Sequence, residues 1–583
     1  MSAPESTAES WGALQAVCRD TLDSLVRDQA VARLFRRDAS LWRPEPEHQK
    51  VIANRLGWLD SPAWLSAVLP DLAEFAAESR GEGLTHVILL GMGGSSLAPE
   101  VLARVLAPAP GAPMLDVLDS TDPAAVRSAE ATHRPDRTLF LVSSKSGRTV
   151  ETLSQYRHFR VRLEELNVPD AGRRFAAITD AGSPLERIAL EEGFRRVFRN
   201  PPDIGGRFSA LSYFGMVPAA LLGIDLPQLA RRAADARDAC ISESPATNHA
   251  LRLAALLAGA ARAGRDKLTL LTTPGARPIG QWIEQLIAES TGKEGRGVIP
   301  VEGEPPGFAR YYGRDRFFIS IATAAEPSSD LERLATELKE AGAPWFPVEL
   351  RDRADLAAEF YRWEVATALA CAALGVDPFD EPNVQESKDK TSAILAAFQK
   401  SGSWPADEAR ARDESVEIHA EDALWERLSA GAPTHPSLEM VLGRFFSLRQ
   451  PSDYLALLAY VERTAATEAV FARMRLALRD GLLVPVLQGY GPRYLHSIGQ
   501  LYKGGAHTGM FLEITVADAE DLPIPESRVT FGQLKKAQAL GDLGALDSRG
   551  KPILRLHMTE GAEAGLRTIA DAAERALVAL ARA

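Results

Sequence analysis

Residues 138–152 read TLFLVSSKSGRTVET. The run Thr138-Leu139-Phe140-Leu141-Val142 has the composition of a buried strand and leads straight into small and hydroxyl-bearing residues from Ser143 to Thr152. From about Val150 to Leu163 the pattern turns helical. A strand feeding a helix through such a loop leaves unpaired backbone N–H groups at the helix start, with Ser143, Ser144, Ser146 and Thr149 beside them. That arrangement suits an anion, and the natural guest is a phosphate. An ordinary Ser/Thr helix cap leaves the same local pattern.

Outward from this loop the chain alternates short β-rich runs with helical segments. Strands are expected at His86–Leu90, Met114–Leu118, Thr138–Val142, Arg174–Ile178 and Arg196–Phe198, and again near Leu268–Leu271, Phe317–Ile321 and Trp345–Leu350. Such alternation predicts parallel sheets covered by helices on both faces. The expected class is α/β, with two tandem doubly wound parallel-sheet domains and a C-terminal α/β extension. The expected boundaries are a helical segment at 1–60, domains at 61–245 and 246–400, a Pro/Gly/charge-rich linker at 401–436, and an extension at 437–583 whose α/β pattern starts at Leu482–Leu487. Glu563–Ala583 reads as an Ala-rich amphipathic helix for packing or oligomer contact.

A length of 583 residues predicts about two to four domains. The formal net charge of −12 argues against a general nucleic-acid binder while leaving room for a local basic pocket. Cys18, Cys240 and Cys371 lie far apart without metal-ligand spacing, which suits a reducing cytosol. No charged-then-apolar leader or membrane-length apolar run is seen, so the cytoplasm is the default expectation.

Three further segments can carry chemistry. Gly91-Met92-Gly93-Gly94-Ser95-Ser96 follows the first strand and precedes a helix at Leu97–Leu106, a second strand–loop–helix anion site. It fails the dinucleotide spacing, because Ser96 stands where the third glycine belongs, and no G-x-x-x-x-G-K-[ST] loop occurs. Gly205-Gly206-Arg207-Phe208-Ser209 holds a guanidinium beside two glycines, either against an anionic substrate or in a surface turn. In Gln281–Gly292, QWIEQLIAESTG, the spacing of Trp282, Ile283, Leu286 and Ile287 is helical, and Gln285 and Glu289 share a face. Burial and the helix C-terminus would raise the pKa of Glu289 toward neutrality, as a proton carrier requires; a solvated glutamate is the plainer reading. Glu284 is expected to be solvated.

Together GMGGSSLAP, SSKSGRTVET, GGRFS, QLIAESTGK and PFDEPNVQESKDK (Pro378–Lys390) resemble, in order, the motifs of the phosphoglucose isomerase family. SLWRPEPEHQKVIANRLGW, Ser40–Trp58, is similar to the join in bacterial transaldolase–isomerase fusions. The resemblance implies tandem sugar-isomerase domains, usually in a homodimer with a shared active site, a sugar-phosphate substrate, no metal and no organic cofactor. A functional association with a separate transaldolase is also implied. Nucleic-acid and membrane partners are not expected. The implied reaction converts glucose 6-phosphate and fructose 6-phosphate reversibly through ring opening and a cis-enediolate. An isomerase that also accepts mannose 6-phosphate, and a silent phosphosugar-binding regulator, remain alternatives.

By the same resemblance Gly94, Ser95, Ser144, Lys145, Ser146 and Thr149 hold the sugar phosphate and Gln285 contacts substrate. Glu289 moves the proton, Arg207 stabilises the enediolate and Lys388 assists at the ring oxygen. Arg148, Glu381, Asn383 and Gln385 depart from the family pattern. No histidine lies between Glu289 and Lys388, where the family places its ring-opening residue. His496 in YLHSIGQLYKGG is the best match, His507 is second, and Lys503 is a further candidate ligand contact.

Overall fold

Fifteen strands form three sheets in the computed structural model, which describes residues 9–405 and 407–582. Residues 1–8 of the expected N-terminal segment, position 406 of the expected linker and position 583 of the terminal helix lie outside the described residues. The first sheet contains β1 (His86–Gly91), β2 (Met114–Leu118), β3 (Thr138–Ser143), β4 (Phe175–Asp180) and β5 (Arg196–Asn200), all parallel, in the order β2-β1-β3-β4-β5. Every residue of β3 is buried, as expected for a central strand with helices on both faces.

The second sheet contains β6 (Lys267–Thr272), β7 (Ile299–Val301), β8 (Arg316–Thr323) and β9 (Trp345–Leu350), in the order β7-β6-β8-β9. In the third, an antiparallel hairpin of β10 (Ala411–Asp413) and β11 (Val416–His419) edges the parallel strands β12 (Tyr454–Tyr460), β13 (Val486–Tyr490), β14 (Gly509–Val516) and β15 (Ile553–Met558). The order is β10-β11-β15-β14-β12-β13. Each sheet therefore winds the same way: its first parallel strand is central, the second lies to one side, and the third and fourth lie to the other. The α/β class and tandem doubly wound units are as expected, and the third unit is a full repeat of the winding.

Two expectations change. The 401–436 stretch is more than a linker, because it supplies β10, β11 and a helix at Asp422–Ser429. Its polar composition reflects an edge hairpin, whose outer groups face water. The third unit also begins before Leu482, since β12 is fully buried at its centre.

The units share cores. One cluster joins Leu89 and Leu141 of the first unit to Ile283 and Leu369 of the second, and also takes in Leu14 and Leu22 from the N-terminal helix Gln15–Arg27 and its lead-in turn. The third unit has its own core, with Leu457, Phe471 and Leu512, onto which the helix Ala562–Arg582 buries Leu566 and Ile569. Ala288 and Val301 meet Tyr494 and Leu501 in another cluster, pressing the second unit on the third. Among the described residues no helix is long and apolar enough to cross a membrane.

Candidate active site

The loop after β3 is held in place by its own polar groups. Ser143 Oγ donates to Ser95 O at 3.2 Å, which joins it to the loop after β1, and Ser144 N donates to Ile178 O at 3.0 Å on β4. Thr149 occupies the N-cap of the helix Val150–Glu165, yet its side chain makes no capping hydrogen bond. It pairs instead with Ser144 Oγ at 2.9 Å. The first turn is thus left without a side-chain cap, which is the condition for receiving an anion at a helix start. Ser144 and Ser95 are buried, and Ser146 is exposed with Oγ accepting from Arg148 N at 3.3 Å. Lys145 departs from expectation: its ammonium donates to Asp180 Oδ2 at 2.6 Å and Pro202 O at 2.9 Å. Arg148 is exposed.

The loop after β1 touches two other elements. Gly93 has φ +55, and a Cβ there would collide with His496 O; a Cβ on Gly94 would collide with Gly206 O. These glycines bring the first unit against both the Arg207 turn and the His496 turn.

Gln285 and Glu289 lie on the helix Ile279–Thr291, whose Trp282, Ile283, Leu286 and Ile287 are buried as the spacing predicts. Glu289 is 7% exposed, and Arg207 Nη1 donates to its Oε2 at 3.0 Å. Burial pushes the Glu289 carboxyl up to about 7, against the pull of Arg207 and with a smaller push from Glu381. Gln285 Nε2 donates to His496 O at 2.9 Å. Its Oε1 is buried without a hydrogen-bond partner among the described residues. Arg207 also donates to Pro378 O, Asp380 O and, at 3.1 Å, Glu381 Oε2. Glu381 is therefore a paired charge.

His496 follows β13 on a short turn, Arg493–His496, and its Nε2 lies 3.0 Å from Glu151 Oε1. Burial works to raise the Glu151 pKa, but His496 first, and then Lys388, outweigh it and hold the carboxylate below its usual range. Gln538 Nε2 donates to the same Oε1 at 2.8 Å and is itself fixed by Thr121 Oγ1 at 2.7 Å. Lys388 is exposed on the helix Val384–Ser401, which is tied to the third unit through Ser387 Oγ and Asp542 Oδ1 at 3.2 Å. Asn383 bonds Gln500 through both backbone and side chain, at 2.9 and 2.8 Å. Gln385 Nε2 donates to Asp389 Oδ1 at 2.8 Å.

The structure thus gathers Gly93, Gly94, Arg207, Gln285, Glu289 and His496 and adds Glu151, which the sequence reading missed. Glu151 lies inside the quoted motif as the first acidic residue of its helix, and that position was its one available signal. Three expectations fall away. His507 is exposed and, among the described residues, makes no hydrogen bond or ion pair with the gathered groups. Lys503 is buried against Asp542 Oδ1 at 2.7 Å, so it offers no free ammonium to a ligand. Glu284 is not a solvated glutamate: Ser497 Oγ donates to it at 3.0 Å, and burial, then the neighbouring Glu302, push its carboxyl up to about 8.

The family model described as Phosphoglucose isomerase matches residues 74–295. Glucose-6-phosphate isomerase of Rubrobacter xylanophilus is 31% identical over 376 residues, covering 55% of this chain and 85% of that protein. The enzyme of the same name from Heliobacterium modesticaldum is 31% identical over 300 residues, covering 44% and 67%. Among solved structures, a hypothetical protein from Thermus thermophilus superposes with a TM-score of 0.56 at 24% identity, covering 66% of this chain and 97% of that one. A glucose-6-phosphate isomerase from Chlamydia trachomatis gives 0.52 at 17% identity, covering 66% and 86%, which speaks to the fold.

Proposed function

The chain belongs to the phosphoglucose isomerase family and converts glucose 6-phosphate and fructose 6-phosphate reversibly, and we propose that Glu289 carries the proton in a site completed by His496 of the same chain. The observation that carries this reading is the run of contacts from Arg207 to Glu289 at 3.0 Å, from Gln285 on the same helix to His496 O at 2.9 Å and from His496 to Glu151 at 3.0 Å, beside the uncapped helix start at Thr149.

The phosphate sits on the first turn of Val150–Glu165 with Ser144, Ser146 and Thr149, and Ser95 and Gly94 close it from the β1 loop. Lys145 contributes field rather than contact while it holds Asp180. His496 moves the proton between ring oxygen and anomeric hydroxyl, and Glu151 fixes its ring and steadies its charge. Lys388 adds positive charge on the same side. Glu289 then takes the C2 proton and returns it at C1. A carboxyl near pKa 7 can do both at neutral pH. As the enediolate forms, Arg207 turns the Nη1 it had given to Glu289 toward the new oxyanion. Gln285 Oε1 accepts from a sugar hydroxyl.

On this reading Arg207, Glu289 and His496 come from one chain, so a homodimer need not supply the histidine. A cytoplasmic location fits three buried cysteines that are all free. A separate transaldolase is the metabolic partner that Ser40–Trp58 brings into view. A coupled assay with fructose 6-phosphate tests the reading: Glu289→Gln should retain substrate binding while turnover collapses. Persistent turnover in that variant would remove Glu289 from its role.

A further inference from the structure

A cavity of about 290 Å³ opens at the carboxyl ends of β6, β7 and β13, where the second and third units face each other. It is lined by Arg493 and Ser497, which flank His496 in sequence, but not by His496, Gln285 or Glu289. The carboxyl ends of parallel strands are where α/β folds bind ligands, and the volume is near the lower end of small-molecule pockets.

Two arginines on its wall converge on Gly303, which has φ +61. The position a Cβ would take there lies 3.3 Å from Arg475 Nη1 and 3.8 Å from Arg277 Nη2. Their hydrogen bonds go to main-chain carbonyls: Arg475 Nε to Val486 O at 3.1 Å, Arg475 Nη2 to Glu302 O at 2.6 Å and Arg277 Nη2 to Gly303 O at 3.3 Å. Among the described residues neither guanidinium has a carboxylate at ion-pair distance, although Arg475 is only 4% exposed. Glu302, Glu304 and Glu284 act on Arg475 only through space. Glu304 is taken by Arg316, Glu468 by Arg463, and Glu284 accepts from Ser497 Oγ at 3.0 Å, while Glu302, the strongest of the three on Arg475, lies on the same wall without an ion pair to either arginine among the described residues. A buried guanidinium without a carboxylate in contact is costly, and a forked pair of them matches a phosphate.

We propose that this cavity is a second anion site, separate from the catalytic one, which takes a small phosphate-bearing molecule on Arg277 and Arg475. The site holds whatever reaction the catalytic cleft runs. Equilibrium dialysis of the full chain against radiolabelled inorganic phosphate tests it, with Arg277→Ala, Arg475→Lys and the double variant Ser144→Ala/Thr149→Ala alongside. The wild-type chain should bind two equivalents. Arg277→Ala, at an exposed residue, should weaken one of them by about tenfold or more, and Arg475→Lys, which keeps the charge and loses the fork, should weaken the same one. The Ser144/Thr149 variant should lose the other, so failure at the catalytic loop reads out separately. Binding of one equivalent or none by the wild-type chain, or two equivalents indifferent to both arginine changes, overturns the proposal.

Discussion

The helix Ile279–Thr291 carries two carboxyl groups of similar acidity, and on the proposed reading their different surroundings give them different work. Glu289 is raised to about 7 and Glu284 to about 8, in both cases chiefly by burial. Around Glu289 stand a guanidinium at 3.0 Å and, across Gln285, the turn that carries His496. Around Glu284 stand a serine hydroxyl at 3.0 Å and the like charge of Glu302. A shifted pKa alone does not identify a base. A cation within bonding reach separates the two, and on the proposed reading it stands where negative charge develops.

The comparison breaks most easily by substitution. Glu289→Gln should lower kcat by about 10²–10⁴-fold, whereas Glu284→Gln should lower it by less than about tenfold, both read in the coupled fructose 6-phosphate assay. Comparable losses would mean that the faces had been assigned wrongly. His496→Ala should cost about 10²-fold, and Glu151→Gln about tenfold, because the latter leaves the imidazole in place without its anchor. If Glu151→Gln exceeded His496→Ala, Glu151 would be acting on substrate directly.

Two smaller effects depend on pH. Glu289 must be ionised to take a proton, so kcat/KM should fall as pH drops below about 7, along a limb that Arg207→Lys moves to higher pH by loosening the pair. Stability runs in the opposite direction. Both folded carboxyls hold their proton more tightly than the ordinary value of 4.5 allows, so their contribution is complete below that value and is lost as pH rises through about 7 and 8. Glu284→Gln should therefore lose less melting temperature than the wild-type chain between about pH 6 and pH 9. An equal loss would show that Glu284 does not hold its proton in the fold.

The sequence revealed those parts whose signal is local. β3 and its loop, the loop after β1, and the Gln285–Glu289 face follow from strand composition, glycine placement and helical spacing. Glu284 was misread because periodicity sorts residues into faces but cannot say what lies against each one; Ser497, from the third unit, covers it. Glu151 was passed over because its partner lies 345 residues away, a pairing set only when the third unit docks on the first. Polar composition hid the β10–β11 hairpin, whose place on the sheet edge depends on β15.

On the proposed reading, Glu289 of the second unit and His496 of the third complete one site within one chain. Co-refolding inactive Glu289→Gln and His496→Ala chains tests it directly, because a site shared between subunits would regain an intact copy in mixed assemblies. The mixture should show no more isomerase activity than the sum of its separately refolded parts. Recovery of a substantial fraction of wild-type activity would place His496 in the partner's site instead.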